Sequence, residues 1–141
     1  MNYARIALAT LGGFVGYFIL GALSFALVPS MKSEFLKYPA IYRSQESMKS
    51  NMPLGMAAMI VAIAALALLY ALLCRGSSGF TEGARFGALI GLYSVGSFVV
   101  HNYVNLNIGG KLALQQAVAY FIEWLAVGII IGLIYRPAAQ H

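Results

Sequence analysis

Four long apolar stretches are the feature that most constrains how this 141-residue chain can fold. They cover about residues 6–28, 54–74, 86–107 and 112–135 and carry almost no charge. A helix of about 20 apolar residues is long enough to cross a bilayer. Charged residues make up only 9% of the chain, against roughly 25% in a typical soluble domain. A soluble fold of this size is therefore excluded, and the sequence predicts a single all-α integral membrane bundle of four transmembrane helices running up-down-up-down.

The only long connection, residues 29–53, lies between the first two predicted helices. Within it, apolar side chains recur at the three- and four-residue spacing of a helix face, and they are Met31, Phe35, Tyr38 and Tyr42. Lys32, Glu34 and Lys37 fall off this stripe. One interpretation is an interfacial helix that covers the bundle. The other is a solvated loop interrupted by Pro39, with the second membrane helix capped by Ser50 or Asn51.

Glycines four residues apart mark faces on which two membrane helices can approach closely. The spacing occurs in three places, at Gly12 and Gly16, at Gly83, Gly87 and Gly91, and at Gly128 and Gly132. These faces predict tight packing either within the chain or between copies in a homo-oligomer. Some pairs are also expected by chance in a chain with 15 glycines.

Glu123 lies almost at the centre of the fourth predicted span. An ionised carboxylate at mid-bilayer costs several kcal/mol, so such a residue is neutral, paired or next to a wet cavity. Gln116, Tyr120 and Glu123 share one helix face by their spacing. Two interpretations stay open: a functional intramembrane site, or a protonated carboxyl that bonds a neighbouring helix as structural glue.

Polar residues of the other spans are the candidate partners of Glu123. In the third span, one helix face is predicted to hold Ser94, Ser97, His101 and Asn105. By depth in the membrane, we expect the Glu123 side chain to contact Ser97, Tyr93 or Tyr17. His101 lies at a different depth, so it could meet Glu123 only if both side chains were extended or a water molecule bridged them. The predicted ligand-binding set is Glu123, Tyr120, Gln116, Ser97, His101 and Tyr17. No metal or cofactor is predicted, because the sequence has no HxxxH and no paired carboxylates.

Three functions are consistent with these residues. The first is binding or transport of a small molecule at the Glu123 site, in a homo-oligomer. The second is an accessory subunit of a larger membrane complex, in which the glycine faces matter most. The third is a small membrane enzyme acting on lipid or isoprenoid, with Glu123 and His101 as its only acid–base groups, although the sequence favours a protein that is not an enzyme.

The charged residues identify the expected partners. Basic side chains stand singly at span ends and in the long loop, which is typical of contacts to lipid head groups and not to nucleic acid. The single cysteine, Cys74, excludes an intrachain disulfide. Four arginines at span ends favour both termini in the cytoplasm, and they are Arg5, Arg75, Arg85 and Arg136.

The last two spans resemble the uncharacterised DUF1761 family of small four-helix membrane proteins. The resemblance covers the glycine-led GARFGALIGLYSVGSF, the Asn102–Tyr103 pair, the short turn with Lys111, and AVAYFIEWLAVGIIIGLIY. The resemblance does not account for the long first loop or for Glu123. The resemblance implies a bacterial inner-membrane protein and no particular activity.

Overall fold

The computed structural model describes residues 1–73 and 78–135, and every regular element in that part of the chain is helical. The elements are α1 (Tyr3–Leu27), α2 (Pro29–Leu36), α3 (Gln45–Leu73), α4 (Gly79–Ser94), a π-helical segment (Val95–Val100), α5 (His101–Asn105) and α6 (Gly110–Ile134). Four stretches are long and apolar enough to cross a membrane: α1, α3, the continuous α4–α5, and α6. The predicted all-helical bundle of four spans is confirmed. Cys74, Arg75 and Arg136 lie outside the described residues.

Helix α3 begins at Gln45, well before residue 54, where the apolar stretch starts. Ser44 provides the cap, because its Oγ accepts the backbone N–H of Ser47 at 3.3 Å. Pro53 therefore lies inside the helix. A proline there removes one intrahelical hydrogen bond, that of the Lys49 carbonyl. Lys49 lies in an exposed, polar turn, where water can take the place of the missing partner.

Helix α6 is the centre of the bundle. It packs along α4 on one side and along α1 on the other, and α3 packs mainly on α1. At the end of the bundle that holds the termini, the buried Tyr70 of α3 meets Phe86 and Tyr135 edge-on, with ring centroids 5.3 and 6.3 Å apart. The buried residues of α3 are Ile63, Ala67 and Tyr70, all in its second half. Its first half therefore contributes little to the core.

The glycines of α4 and α6 face one another inside the chain. A Cβ on Gly83 would lie 2.5 Å from the Gly128 carbonyl oxygen, and one on Gly87 would lie 2.7 Å from the Leu125 carbonyl oxygen. Gly132 in turn faces Gly79 and Gly83. The two backbones are thus in direct contact along several turns, which only glycine permits.

The remaining predicted glycines also face neighbours within the chain. Gly12 and Gly16 of α1 lie under the side chains of Ile130 and Ile134 of α6, and Gly91 lies against Phe121. The sequence left open whether these glycines pack within the chain or between copies, and in the structure they pack within the chain.

We expect Gly83→Ala to lower the free energy of unfolding by about 1–3 kcal/mol, because the added methyl group forces two backbones apart. Gly55→Ala is the matched control, since a Cβ at Gly55 meets nothing within 4 Å. The control should be neutral or stabilising by up to about 1 kcal/mol, since alanine favours the helix. Unfolding in detergent micelles measures both. Equal effects of the two substitutions would contradict the packing described above.

Candidate functional site

A cavity of about 420 Å³ opens between α1, α2, the start of α3 and α6. It exists because α3 is buried only in its second half, which leaves the space beside α1 and α6 unfilled. Most of the lining is apolar or aromatic, including Phe18, Ala22, Phe25 and Ala119. The polar lining residues are Tyr17, Ser24, Gln116, Tyr120 and Glu123. A largely apolar cavity with a few convergent polar groups is the usual form of a small-molecule site.

Glu123 carries the only carboxyl group among the described residues that line this cavity, and it is only 6% exposed. The hydroxyl of Tyr17, at the middle of α1, lies beside the Glu123 carboxyl and also near Tyr120. Gly21 leaves the carboxyl accessible from α1, since a Cβ there would lie 3.6 Å from Glu123 Oε1. No lysine, arginine or histidine lines the described part of the cavity. The carboxyl therefore has a hydroxyl neighbour and no cationic one.

Trp124 packs against Tyr17 without lining the cavity itself. Its indole N–H donates to Ser94 Oγ at 3.1 Å, which fixes the ring against α4. Its ring centroid lies 5.2 Å from that of Tyr17. Trp124 is the single tryptophan of the chain, so its fluorescence reports on this region alone.

Gln116 lies on the cavity wall and is 6% exposed. Its Nε2 donates to the Tyr42 hydroxyl at 3.3 Å, whereas its Oε1 finds no partner among the described residues. A buried polar atom without a partner costs about 1–3 kcal/mol. Because the Oε1 atom is itself buried, this acceptor lies behind the cavity wall and is not presented to a molecule in the cavity.

The structure brings Tyr17, Gln116, Tyr120 and Glu123 together and leaves Ser97 and His101 outside the cavity. Both of the latter are exposed. Ser97 Oγ donates to the carbonyl oxygen of Tyr93, one turn before it, at 2.7 Å. The physical reason is the packing of α6, because the cavity lies where α6 faces α1 and the cover residues, and no described residue of the α4–α5 span lines it. Of the predicted partners of Glu123, only Tyr17 is beside it.

Residues 29–42, called the cover segment below, close one side of the cavity. Met31 and Phe35 line the cavity. The Phe35 ring lies between those of Phe25 and Tyr42, with centroid distances of 5.5 and 4.7 Å; it is tilted against the first and meets the second edge-on. The helix ends at Leu36, before Pro39, so a short helix covers this side of the bundle and a loop connects it to α3.

Four polar contacts attach the cover segment to the start of α6, and the Gln116–Tyr42 bond described above is one of them. The Tyr38 hydroxyl accepts the Gly109 N–H at 2.8 Å, and Gln115 Nε2 donates to Ser30 Oγ at 2.9 Å. Glu34, which the sequence placed off the apolar stripe, has a side chain that is only 5% exposed. Its carboxylate pairs with Lys37 at 2.6 Å and with Lys111 at 3.2 Å. The spacing of Glu34 and Lys37 on one helix was the only sequence signal for this arrangement.

These two lysines also set the ionisation of Glu34. The hydrogen bond from Lys37, reinforced by Lys111, lowers the pKa of Glu34 below its usual value, and the same bond raises the pKa of Lys37. A carboxyl with a lowered pKa stabilises the fold at pH values above its unfolded pKa of about 4.3. That stabilisation is lost as the pH falls through the lowered pKa of the folded state.

We expect Glu34→Gln to lower the melting temperature at pH 7, with the difference from wild type narrowing as the pH is taken below about 4. Lys111→Gln should behave in the same way. Lys32→Gln is the control, because Lys32 is exposed and forms no ion pair among the described residues. Thermal unfolding in detergent between pH 7 and pH 3 measures the differences. A difference between Glu34→Gln and wild type that does not change with pH would refute the role of the ion pairs.

No set of three or more histidine, cysteine, aspartate or glutamate side chains among the described residues is placed to hold a metal ion. Comparison of the chain with protein-family models, with curated proteins and with solved structures gave no match. The similarity of the last two spans to the DUF1761 family therefore stays a prediction.

Proposed function

We propose that this membrane protein binds a small molecule with an apolar body and a hydrogen-bonding head group, which it takes up from the membrane. The observation that carries the proposal is the position of Glu123, near the middle of a membrane-spanning helix and at the wall of a largely apolar cavity. A carboxyl is costly there, and such residues line substrate or ion pathways. The cavity walls supply the apolar contacts, and the Glu123 carboxyl supplies the central polar one.

The size of the cavity sets the size of the ligand. A volume of about 420 Å³ corresponds to roughly 14 water-sized groups at about 30 Å³ each. A compact molecule of about a dozen non-hydrogen atoms fits, and a longer tail can extend through the opening. The cover segment, held by Glu34 and Tyr38, bounds the site on the loop side.

The other two sequence-based functions lose their main support. The glycine faces that an accessory subunit would present to a partner are occupied within the chain. The enzyme hypothesis had only Glu123 and His101 as acid–base groups, and His101 is exposed outside the cavity. Two roles of Glu123 remain to be distinguished. As part of a binding site it contacts a ligand, whereas as a purely structural hydrogen-bonding group between helices it needs none.

As part of the same proposal, the protein lies in the bacterial inner membrane among anionic lipids, with both termini in the cytoplasm. The arginines at the span ends support this orientation. A homo-oligomer is compatible with it, through surfaces other than the glycine faces.

We expect Gly21→Leu to abolish ligand binding while leaving the bundle folded, because its side chain would fill the cavity in front of Glu123. Gly55→Leu is the matched control, since Gly55 faces open space. Adamantanol serves as a neutral probe, and Trp124 fluorescence in detergent reports its binding. Native mass spectrometry of the same samples detects any co-purified molecule. Wild type and Gly55→Leu should bind, and Gly21→Leu should bind at least about tenfold more weakly.

Substitutions of Glu123 separate a binding site from structural glue. A binding site predicts that Glu123→Gln stays folded and changes ligand binding. Glue predicts that Glu123→Gln leaves binding untouched and that Glu123→Leu unfolds the bundle. Equal probe binding by wild type and Gly21→Leu would show that the cavity is not the binding site.

A further inference from the structure

We infer that the cavity takes up its ligand sideways from the hydrocarbon of the membrane, through a mouth between α1 and the first half of α3, and that this ligand carries no permanent charge. The inference rests on the proposed function, to which it adds a route of entry and a class of ligand. Three observations support it: which residues of the cavity wall are exposed, how the loop end of the cavity is closed, and how deep Glu123 lies.

The exposed residues of the cavity wall mark its mouth. They belong to two helices and are Phe18, Ala22 and Phe25 of α1, and Met52 of α3. Met52 is 52% exposed, because the first half of α3 contributes no buried residue to the bundle. The lining residues of α6, in contrast, are all buried or half-buried. The opening therefore faces the side of the bundle between α1 and α3.

This mouth lies within the membrane. Phe18 and Phe25 both belong to the second half of α1, a candidate membrane span that ends at Leu27. They are seven residues apart, which corresponds to about 10 Å along the helix axis. The side chains that border the mouth are apolar, and at this depth they face lipid tails. A molecule can therefore pass from the hydrocarbon into the cavity without crossing water.

The loop end of the cavity, by contrast, is closed by the cover segment. Met31 lines the cavity there and is only 5% exposed. Phe35 packs against Phe25, and the Glu34 carboxylate pairs with Lys111 at the start of α6. An entry from water at this end would have to break such contacts. An entry through the mouth requires none of them to break.

The depth of Glu123 determines the class of ligand. Its carboxyl faces Gly21, since a Cβ there would lie 3.6 Å from Oε1. Gly21 is six residues from the end of α1 at Leu27, or about 9 Å along the axis. A polar group that reaches Glu123 from the side must therefore cross hydrocarbon, where a permanent charge is expensive. A hydroxyl or carbonyl group, or an amine in its uncharged form, crosses at a lower cost, whereas a phosphate or a quaternary ammonium group does not fit this route.

Two variants test the route, with adamantanol binding followed by stopped-flow Trp124 fluorescence in phosphatidylcholine nanodiscs at pH 7. The signal of Gly21→Leu is subtracted to remove partitioning into the lipid. Ala22→Phe narrows the mouth, and we expect it to lower both the association and the dissociation rate constant by at least about fivefold. Ala26→Phe is the matched control, because Ala26 is exposed on the same helix and does not line the cavity. Glu34→Gln removes the pairing of the cover segment with α6 and should change both rate constants by less than about twofold.

Two probes with the same hydrocarbon cage test the class of ligand. Adamantanol is uncharged, whereas N,N,N-trimethyladamantylammonium carries a permanent positive charge. Both aqueous faces of a nanodisc are accessible to both probes, so a difference in rate reports on the path through hydrocarbon. We expect the charged probe to associate with wild type at least about tenfold more slowly than adamantanol.

The outcomes separate this inference from the function on which it rests. If Ala22→Phe does not slow both steps relative to Ala26→Phe, or if Glu34→Gln accelerates both, the lateral route is wrong and the cavity function stands. If the charged probe associates as fast as adamantanol, the class of ligand is wrong. If adamantanol shows no Gly21-dependent binding to wild type, both the inference and the proposed function fail.

Discussion

Direct backbone contact between α4 and α6 is the interaction on which the rest of the structure depends. Gly83 and Gly87 of one helix meet Gly128 and Gly132 of the other without intervening side chains. In a membrane, helices gain no hydrophobic energy by associating, so such close approach is the main source of attraction. One side of α6 is therefore held by its backbone. The opposite side, which faces α1, is free to carry larger and polar side chains, and Glu123 lies there.

The two ends of the bundle are packed differently, and this difference locates the cavity. At the terminal end, Tyr70, Phe86 and Tyr135 fill the space between α3, α4 and α6. Toward the loop end, the first half of α3 contributes no buried residue, and the cover segment takes its place against α1 and α6. A short segment held by a few polar contacts leaves a space that a full-length helix would have closed.

Two buried glutamates show how surroundings decide what a carboxyl can do. Glu34 lies at the end of the bundle between Lys37 and Lys111, so its charge is compensated and its role is to hold the cover segment. Glu123 lies at mid-membrane with Tyr17 beside it and no basic neighbour in the described cavity wall. Its charge is left to be compensated by a proton or a ligand. The first carboxyl is structural, and the second is available for binding.

The four spans, the central position of Glu123 and the glycine faces were readable from the sequence, because hydropathy, depth and residue spacing are local properties. The stripe from Met31 to Tyr42 also predicted part of the cover segment. Tertiary structure alone decided which groups meet. The packing of α6 left the span that holds Ser97 and His101 outside the cavity wall, and it placed Tyr17 of α1 beside Glu123. The ion pair of Glu34 with Lys111 and the bond from Gln116 to Tyr42 join residues more than 70 positions apart in the chain, which no local pattern records.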